Sequence, residues 1–466
     1  MNNNMDIFGV DTAGLRNIVA EGLKGGSWCD LYFEQTVYND LLLRDGIVAS
    51  GGFHLDYGCG VRVLDGEKTG YAYSESTEMP ALMDAARAAA AIAGKAGTFG
   101  TAAPVCPPEI DIVRQAWDSA TKKELAAWLE RLEAAIRARE HRTVKVIALL
   151  SWSQSDIMMY NSLDSLTSDS RPLGNVTVTV IFSDGRRTEQ RNVSRSHRCG
   201  REMLSDGLLE ALADEAVAGL DDSFAARRPK GGRMPVVMAA GASGILLHEA
   251  MGHAFEADFN RKGQSIFCDK MGRRICRRGI NILDDATIPG NRGSLRIDDE
   301  GVPGQKTYMV QDGVLTSYLH DRISAGWYGV PPTGNGRRES FRYNPIPRMR
   351  ATYMESGTDG TLQDLISSVR KGIYVDKFAN GEVKIGEGDF TFYVNRGYLI
   401  ENGRLTMPVK DINIIGNGPQ ALADIEAVAG DLKIDDGTWT CGKEQSAAVS
   451  CGIPSVLIKN LTVGGE

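Results

Sequence analysis

The sequence predicts an α+β protein with an N-terminal domain of mixed antiparallel sheet and helix, residues 1–225, and a C-terminal β-rich domain, residues 226–466. Three observations support this. A chain of 466 residues is longer than one typical hydrophobic core and long enough for two. In the first half, apolar residues recur at both helical and alternating spacing. In the second, short apolar runs are separated by Gly, Pro, Asn and Asp, the punctuation of hairpins rather than of helices.

Asp11 is placed to cap a helix on which Leu15, Ile18, Val19 and Leu23 recur, and Gly25-Gly26 stops it. Strands follow: Leu41 to Leu43 run into Asp45-Gly46, and residues 60–63 pass through Asp65-Gly66 to residues 70–73, each with favoured hairpin turn residues. Residues 80–93 read as an Ala-rich helix and 122–140 as an amphipathic one. The stripe Leu125, Trp128, Leu129, Leu132 and Ile136 on the latter reads as core, not as a cofactor contact. Strands return over 144–193, with alternation at 176–182 and a turn at Asp184-Gly185, before a helix over 204–220. The polar segment 221–233, with Pro229 and Gly231-Gly232, is the candidate domain boundary. Beyond it, runs 307–310, 391–393 and 398–401 precede turns at Asp312-Gly313, Arg396-Gly397 and Asn402-Gly403. Connections this short call for antiparallel pairing.

Composition narrows the function classes. A formal net charge of −8 without long blocks of one sign offers nothing to a phosphate backbone, so no nucleic-acid partner is expected. The pairs Arg186-Arg187, Arg227-Arg228, Arg273-Arg274 and Arg337-Arg338 read as solvated loops and hairpin edges. No run reaches the roughly 18 apolar residues of a membrane span, and residues 1–9 lack the pattern of a secretory leader. Eight scattered cysteines without a CxxC pair argue for reduced thiols, and the expected location is cytoplasmic.

The chemistry concentrates in residues 235–253, PVVMAAGASGILLHEAMGH: a short apolar strand, a glycine-rich turn and the start of an apolar helix. His248 and His253 are candidate zinc ligands, and Glu249 is the candidate general base, because a carboxylate beside a zinc-activated water can take its proton. The familiar zinc-peptidase spacing of four keeps both histidines on one helical face. Here the spacing is five, and at about 100° per residue a regular helix would set the rings about 140° apart. The helix must therefore deform near Gly252, by a π-type bulge or by ending. The competing reading makes both histidines buried core or capping residues, and the glutamate next to His248 weighs against it.

The stretch 248–263, HEAMGHAFEADFNRKG, resembles the signature of the TldD/PmbA family, also called the modulator of DNA gyrase family. Further stretches are similar: RGSLRIDDEGVPGQ at 292–305, PTGNGRRES at 332–340, LIENG at 399–403 and CGKEQ at 441–445. The resemblance implies an ATP-independent metallopeptidase acting on unfolded or extended peptides. It also implies a TldD-type subunit with intact H-E-x-x-x-H, working as a homodimer or as a heterodimer with a PmbA/TldE-like subunit. The gyrase name denotes a genetic association and carries no function to this chain.

Two histidines leave zinc underbound, and a catalytic site normally has three protein ligands plus water. Cys268 and Cys276 stand among polar or basic neighbours where the likeness fades, and Cys451 opens an apolar run as a small buried residue. Cys441 sits in a Gly-rich turn and matches the family's Cys-Gly-Lys, so it is the candidate third ligand; a free structural thiol is the alternative. His320 reads as structural, with substrate contact as the alternative. Asp298, Asp299 and Glu300 read as a turn with solvated carboxylates or as a hard-cation site, and Gly334-Asn335-Gly336 as a tight turn. The expected function is zinc-dependent peptide hydrolysis, against a metal-stabilised interaction protein that modulates a partner without hydrolysis.

Overall fold

The computed structural model describes residues 4–103, 106–110, 113–384 and 386–465. Its first half is built on one antiparallel sheet in the order β3-β2-β1-β4-β5-β6. The strands are β1 Trp28–Arg44, β2 Ile47–Asp65, β3 Lys68–Ser74, β4 Thr143–Asn161, β5 Ser165–Ser183 and β6 Thr188–His197. At 19 residues, β2, β4 and β5 run about 60 Å, enough to serve two separate cores. Helices Thr12–Gly22 and Met79–Ala90 bury Leu15, Ile18 and Leu82 in one core. Helices Lys122–Arg139 and Asp206–Val217 bury Leu129, Leu132 and Leu212 in the other.

Local sequence explains these bounds. The Asp11 carboxylate accepts from Gly14 N–H at 2.7 Å, and Thr121 with Glu124 forms a capping box. The helix expected over 204–220 is two pieces, because Ala218 at ψ 127° leaves the helical region after Val217 and Gly219 at φ 63° leads into a new helix, Leu220–Ala225. Asp45-Gly46, Asp312-Gly313 and Asn402-Gly403 all have two successive positive φ values, as a two-residue hairpin turn requires. The expected turn at Arg396-Gly397 is absent: both residues lie inside one strand, β15, Asp389–Glu401. Gly397 is there because a Cβ would stand 2.5 Å from the Tyr374 carbonyl oxygen of the neighbouring strand.

The second half is β-rich. β7 Gly232–Met238, β14 Lys371–Lys384, β15, β17 Ile412–Asn417 and β23 Val456–Val463 pair in sequence around a ring, which the β14–β15 pairing closes into a barrel. β16 Arg404–Val409 pairs with β15, and β18 Ile425–Val428 with β23. A second sheet runs β10-β9-β8-β13-β22-β19, with β8 Ile282–Asp285, β9 Lys306–Gln311, β10 Val314–Leu315, β13 Ala351–Met354, β19 Lys433–Ile434 and β22 Ser450–Ile453. Two short ribbons complete it: β11 Gly336–Arg337 with β12 Ile346–Pro347, and β20 Thr440–Lys443 with β21 Gln445–Ala448. Pairing is not antiparallel throughout, since β7–β14 and β13–β22 are parallel. Those strands lie far apart in the chain, so the short-connection argument does not govern them.

The acidic trio is a further correction. Asp298, Asp299 and Glu300 are buried, as are Arg337 and Arg338, so neither group is solvated. They form a charged seam between the first sheet and the second half. Arg62, fully buried, pairs with Asp30 at 2.7 Å and Glu300 at 2.6 Å. Arg171 pairs with Asp169 at 2.8 Å and Asp299 at 2.6 Å, while Arg338 lies 4.1 Å over the Tyr32 ring. Asp298 instead accepts backbone N–H groups of Glu300, Val302 and Gly336, which makes it the organiser of a turn. Where a tight turn is expected at Gly334-Asn335-Gly336, the chain bends at Gly334, at φ 74°, and enters β11 at Gly336, with Asn335 held to Asp284 at 2.7 Å. Removing one partner of a buried pair leaves an uncompensated charge, so Arg62→Ala is expected to lower unfolding free energy by about 3–5 kcal/mol. Denaturant titration checks this, and a loss under about 1 kcal/mol would mean the seam is effectively solvated.

Candidate metal centre

β7 delivers the chain to a tight descent. After Gly241 at φ 92° come a 3-10 turn, Ala242–Gly244, and one helical turn, Ile245–Leu247. Gly244 is required, because a Cβ would stand 2.5 Å from the backbone of Gly452 in β22. Residues His248–Gly252 then form a π-helical turn in which His253 N–H donates to the His248 carbonyl. This is the deformation that the five-residue spacing demands, and it replaces the expected divergence of the rings. The two imidazoles meet edge to face with centroids 5.1 Å apart. Leu246, Leu247, Met251 and Phe255 anchor the turn in the main core of the second half.

The structure brings His248, His253 and Cys441 together, all buried, with one candidate ligand atom from each inside 4.8 Å of the others. Cys441 comes from β20, and its Sγ lies 3.1 Å from His253 Nε2. Arg348 fixes that ribbon by donating to the carbonyls of Cys441 at 2.7 Å and Gln445 at 2.6 Å. Burial pushes the Cys441 thiol up, but His248 and His253 pull it down to about 4, so the sulfur is a thiolate at neutral pH. Burial pushes His253 down, and Glu256 and Cys441 together hold it at about 10. A buried thiolate, two imidazoles and the partnerless Nδ1 of buried His248 form a donor set that suits zinc.

Two supporting residues lie in the quoted motifs without having been given a role. Glu256 Oε2 is 2.9 Å from His253 Nδ1. Burial raises that carboxyl, yet Lys443 and His253 lower it to about 2, so it is an ionised acceptor for the Nδ1 proton, which orients the ring and leaves Nε2 facing Cys441. Lys443, two residues after Cys441, reaches Glu256 at 3.1 Å and Asp258 at 2.8 Å. A carboxylate three residues beyond a ligand histidine was the signal available for Glu256.

Glu249 is partly exposed between the buried histidine and Ala250. Burial raises its carboxyl above the ordinary range, with His248 and His253 opposing. The other candidates lie apart from this cluster. Cys451 is buried in β22 with its thiol pushed well up by burial, Cys276 is pushed up to about 12, and Cys268 Sγ donates to the Asn260 carbonyl at 3.4 Å. His320 is buried against the rings of Tyr318 and Tyr328, and burial lowers it to about 4.

Residues 231–465 match the PmbA/TldA metallopeptidase C-terminal domain, 29–93 the PmbA/TldA metallopeptidase domain 1, and 116–221 the central domain. A metalloprotease TldD homolog of Haemophilus influenzae is 38% identical over 453 residues, covering 94% of this chain and 93% of that protein. A zinc metalloprotease TldD homolog of Saccharolobus solfataricus is 36% identical over 239 residues, 51% of this chain and 53% of that one. The crystal structure of TldE from Thermococcus kodakarensis superposes with a TM-score of 0.75 at 18% identity, covering 97% of this chain and all of that one (100%). A Thermotoga maritima structure named for modulation of a DNA gyrase gives 0.78 at 22% identity, over 97% and 99% of the two chains. Similar along nearly its whole length to metalloprotease TldD homologues, and matched by all three family domains, the chain belongs to the PmbA/TldD family of metallopeptidases.

Proposed function

We propose that this metallopeptidase is a zinc enzyme in which His248, His253 and Cys441 hold the ion and Glu249 is the general base. The observation that carries the reading is the π-helical turn that brings two histidines five residues apart onto one buried thiolate. Zinc at such a site supplies a Lewis acid that activates water and polarises a carbonyl. Glu249 accepts the proton of the attacking water and delivers it to the leaving amine. Glu256 and Lys443 position His253 rather than touch substrate.

The substrate class is unfolded or extended peptide, cut without ATP. An extended chain can pair with a strand edge through backbone hydrogen bonds that demand little of its sequence. The zinc in the name of the Saccharolobus relative supports the metal. The proposed assembly is a dimer, with a TldE-like subunit or with a second copy. No helix among the described residues is long and apolar enough to cross a membrane; a cytoplasmic location rests on the reduced cysteines. A domain boundary between residues 225 and 226 is supported by the end of helix Leu220–Ala225 there.

Glu249→Gln is expected to retain zinc and lose about 10²- to 10⁴-fold in kcat, measured on an unstructured peptide library; full activity in a zinc-loaded variant would remove Glu249 from the base role. Cys441→Ala is expected to lose zinc and activity while Cys451→Ala keeps both, read by metal analysis of the purified proteins. A zinc-replete Cys441→Ala protein would overturn the ligand set. Glu256→Gln is expected to weaken zinc binding by about 10- to 100-fold with the fold intact, as competition with a chromophoric chelator would show. Unchanged affinity would mean that the 2.9 Å contact has no part in holding His253.

A further inference from the structure

A cavity of about 170 Å³ lies between the first sheet and strand β21. Its walls include Tyr32 and Glu34 of β1, Ser153 and Ser155 of β4, and Ser446 to Ala448. Ala447 is in register with Cys441 across the β20–β21 ribbon, so only one strand spacing, about 4.8 Å, separates this wall from the strand of the thiolate. Strand β21 thus stands between the cavity and the strand that carries Cys441.

Four arginines line it, Arg171, Arg198, Arg337 and Arg338, with three carboxylates, Glu34, Asp299 and Glu339. Just outside the lining, Asp169 pairs with Arg171 at 2.8 Å and Asp30 with Arg338 at 3.8 Å. Two of those acids are already engaged. Asp299 is held by Arg171 at 2.6 Å and by Arg338 N–H at 2.8 Å. Glu34 accepts from the Thr36 hydroxyl and from Phe341 N–H, and burial pushes it up to about 7. Glu339, at the exposed edge, accepts from Ser446 N–H. Arg337 is the residue left over. It is 5% exposed, donates from Nη1 to the Met349 carbonyl at 2.7 Å, and among the described residues has no carboxylate within ion-pair distance. A buried guanidinium has five donors and is costly to leave without a counter-charge.

We infer that this cavity receives a carboxylate of the substrate peptide, with Arg337 as its counter-charge. The volume suits a chain terminus or one acidic side chain, not a whole peptide. A carboxylate seated there meets a planar fork of donors, and the chain carrying it lies one strand from Cys441. The inference rests on the peptide-substrate reading and adds what that reading lacks, a feature of the peptide that the protein selects.

The test measures binding without cleavage, by calorimetry on the full-length, zinc-loaded Glu249→Gln protein. The probes are penta-alanine as its free acid, penta-alanine amide, and the same amide with a central glutamate. A carboxylate-bearing form is expected to bind about ten- to a hundredfold tighter than the neutral amide. Preference for the free acid identifies the chain terminus as the source, and preference for the glutamate amide identifies a side chain. Arg337→Gln is expected to bring the ratio close to one, and Arg337→Lys to restore part of it. Equal binding of all three probes overturns the inference, as does full discrimination by Arg337→Gln. The comparison among probes on the unaltered Arg337 stands even if the variants fail to fold. Failure of the wild-type protein to cut any peptide would sink the peptidase mechanism separately, because the binding ratio does not depend on turnover.

Discussion

One backbone hydrogen bond, from His253 N–H to the His248 carbonyl, sets the geometry on which the site depends. A regular turn would bond residues four apart and swing the second imidazole away from the first. Lengthening the loop by one residue brings both rings to Cys441 and leaves Glu249 at the partly exposed side. A π turn is poor in isolation, and it persists here because its other faces are committed. Leu246, Met251 and Phe255 sit in the core, and the Ala250 carbonyl touches Gly418, where a Cβ would come within 2.2 Å. Packing on three sides thus holds a backbone conformation that local propensity would not choose.

Polar connections extend outward from that turn in a fixed order. Cys441 meets His253, His253 meets Glu256, and Glu256 meets Lys443, which belongs to the same short strand as Cys441. The loop of contacts closes on itself, so the donor atoms are positioned from two directions. Arg348 ties the ribbon from behind through two carbonyl oxygens. The charged seam has a different task. It joins the first sheet to the second half by pairing Arg62 and Arg171 with acids from the other side, and its directionality allows one relative placement of the two surfaces.

Much of this was legible in the sequence because it is local. The Asp11 and Thr121 caps, the stripe on helix Lys122–Arg139 and the Asp-Gly and Asn-Gly hairpins all depend on residues a few positions apart. The π turn was legible for the same reason, since five-residue spacing and a demand for convergence leave few backbone solutions. What escaped was long-range. Gly397 looks like a turn residue, and only the carbonyl of Tyr374 on a neighbouring strand explains it. Asp299, Glu300, Arg337 and Arg338 look like surface charges, because composition carries no trace of the partners that bury them. The parallel pairs β7–β14 and β13–β22 are invisible to any rule based on adjacent strands.

Distance along the chain also has a consequence for biosynthesis. His253 and Cys441 are separated by 188 positions, and β23, which closes the barrel between β7 and β17, comes later still. During translation the two histidines emerge long before the sulfur that faces them, and no strand made earlier substitutes for the β20–β21 ribbon. A ribosome stalled before residue 441 therefore carries a nascent chain with two imidazoles and no thiolate, so the donor set comes together only after Cys441 has been made.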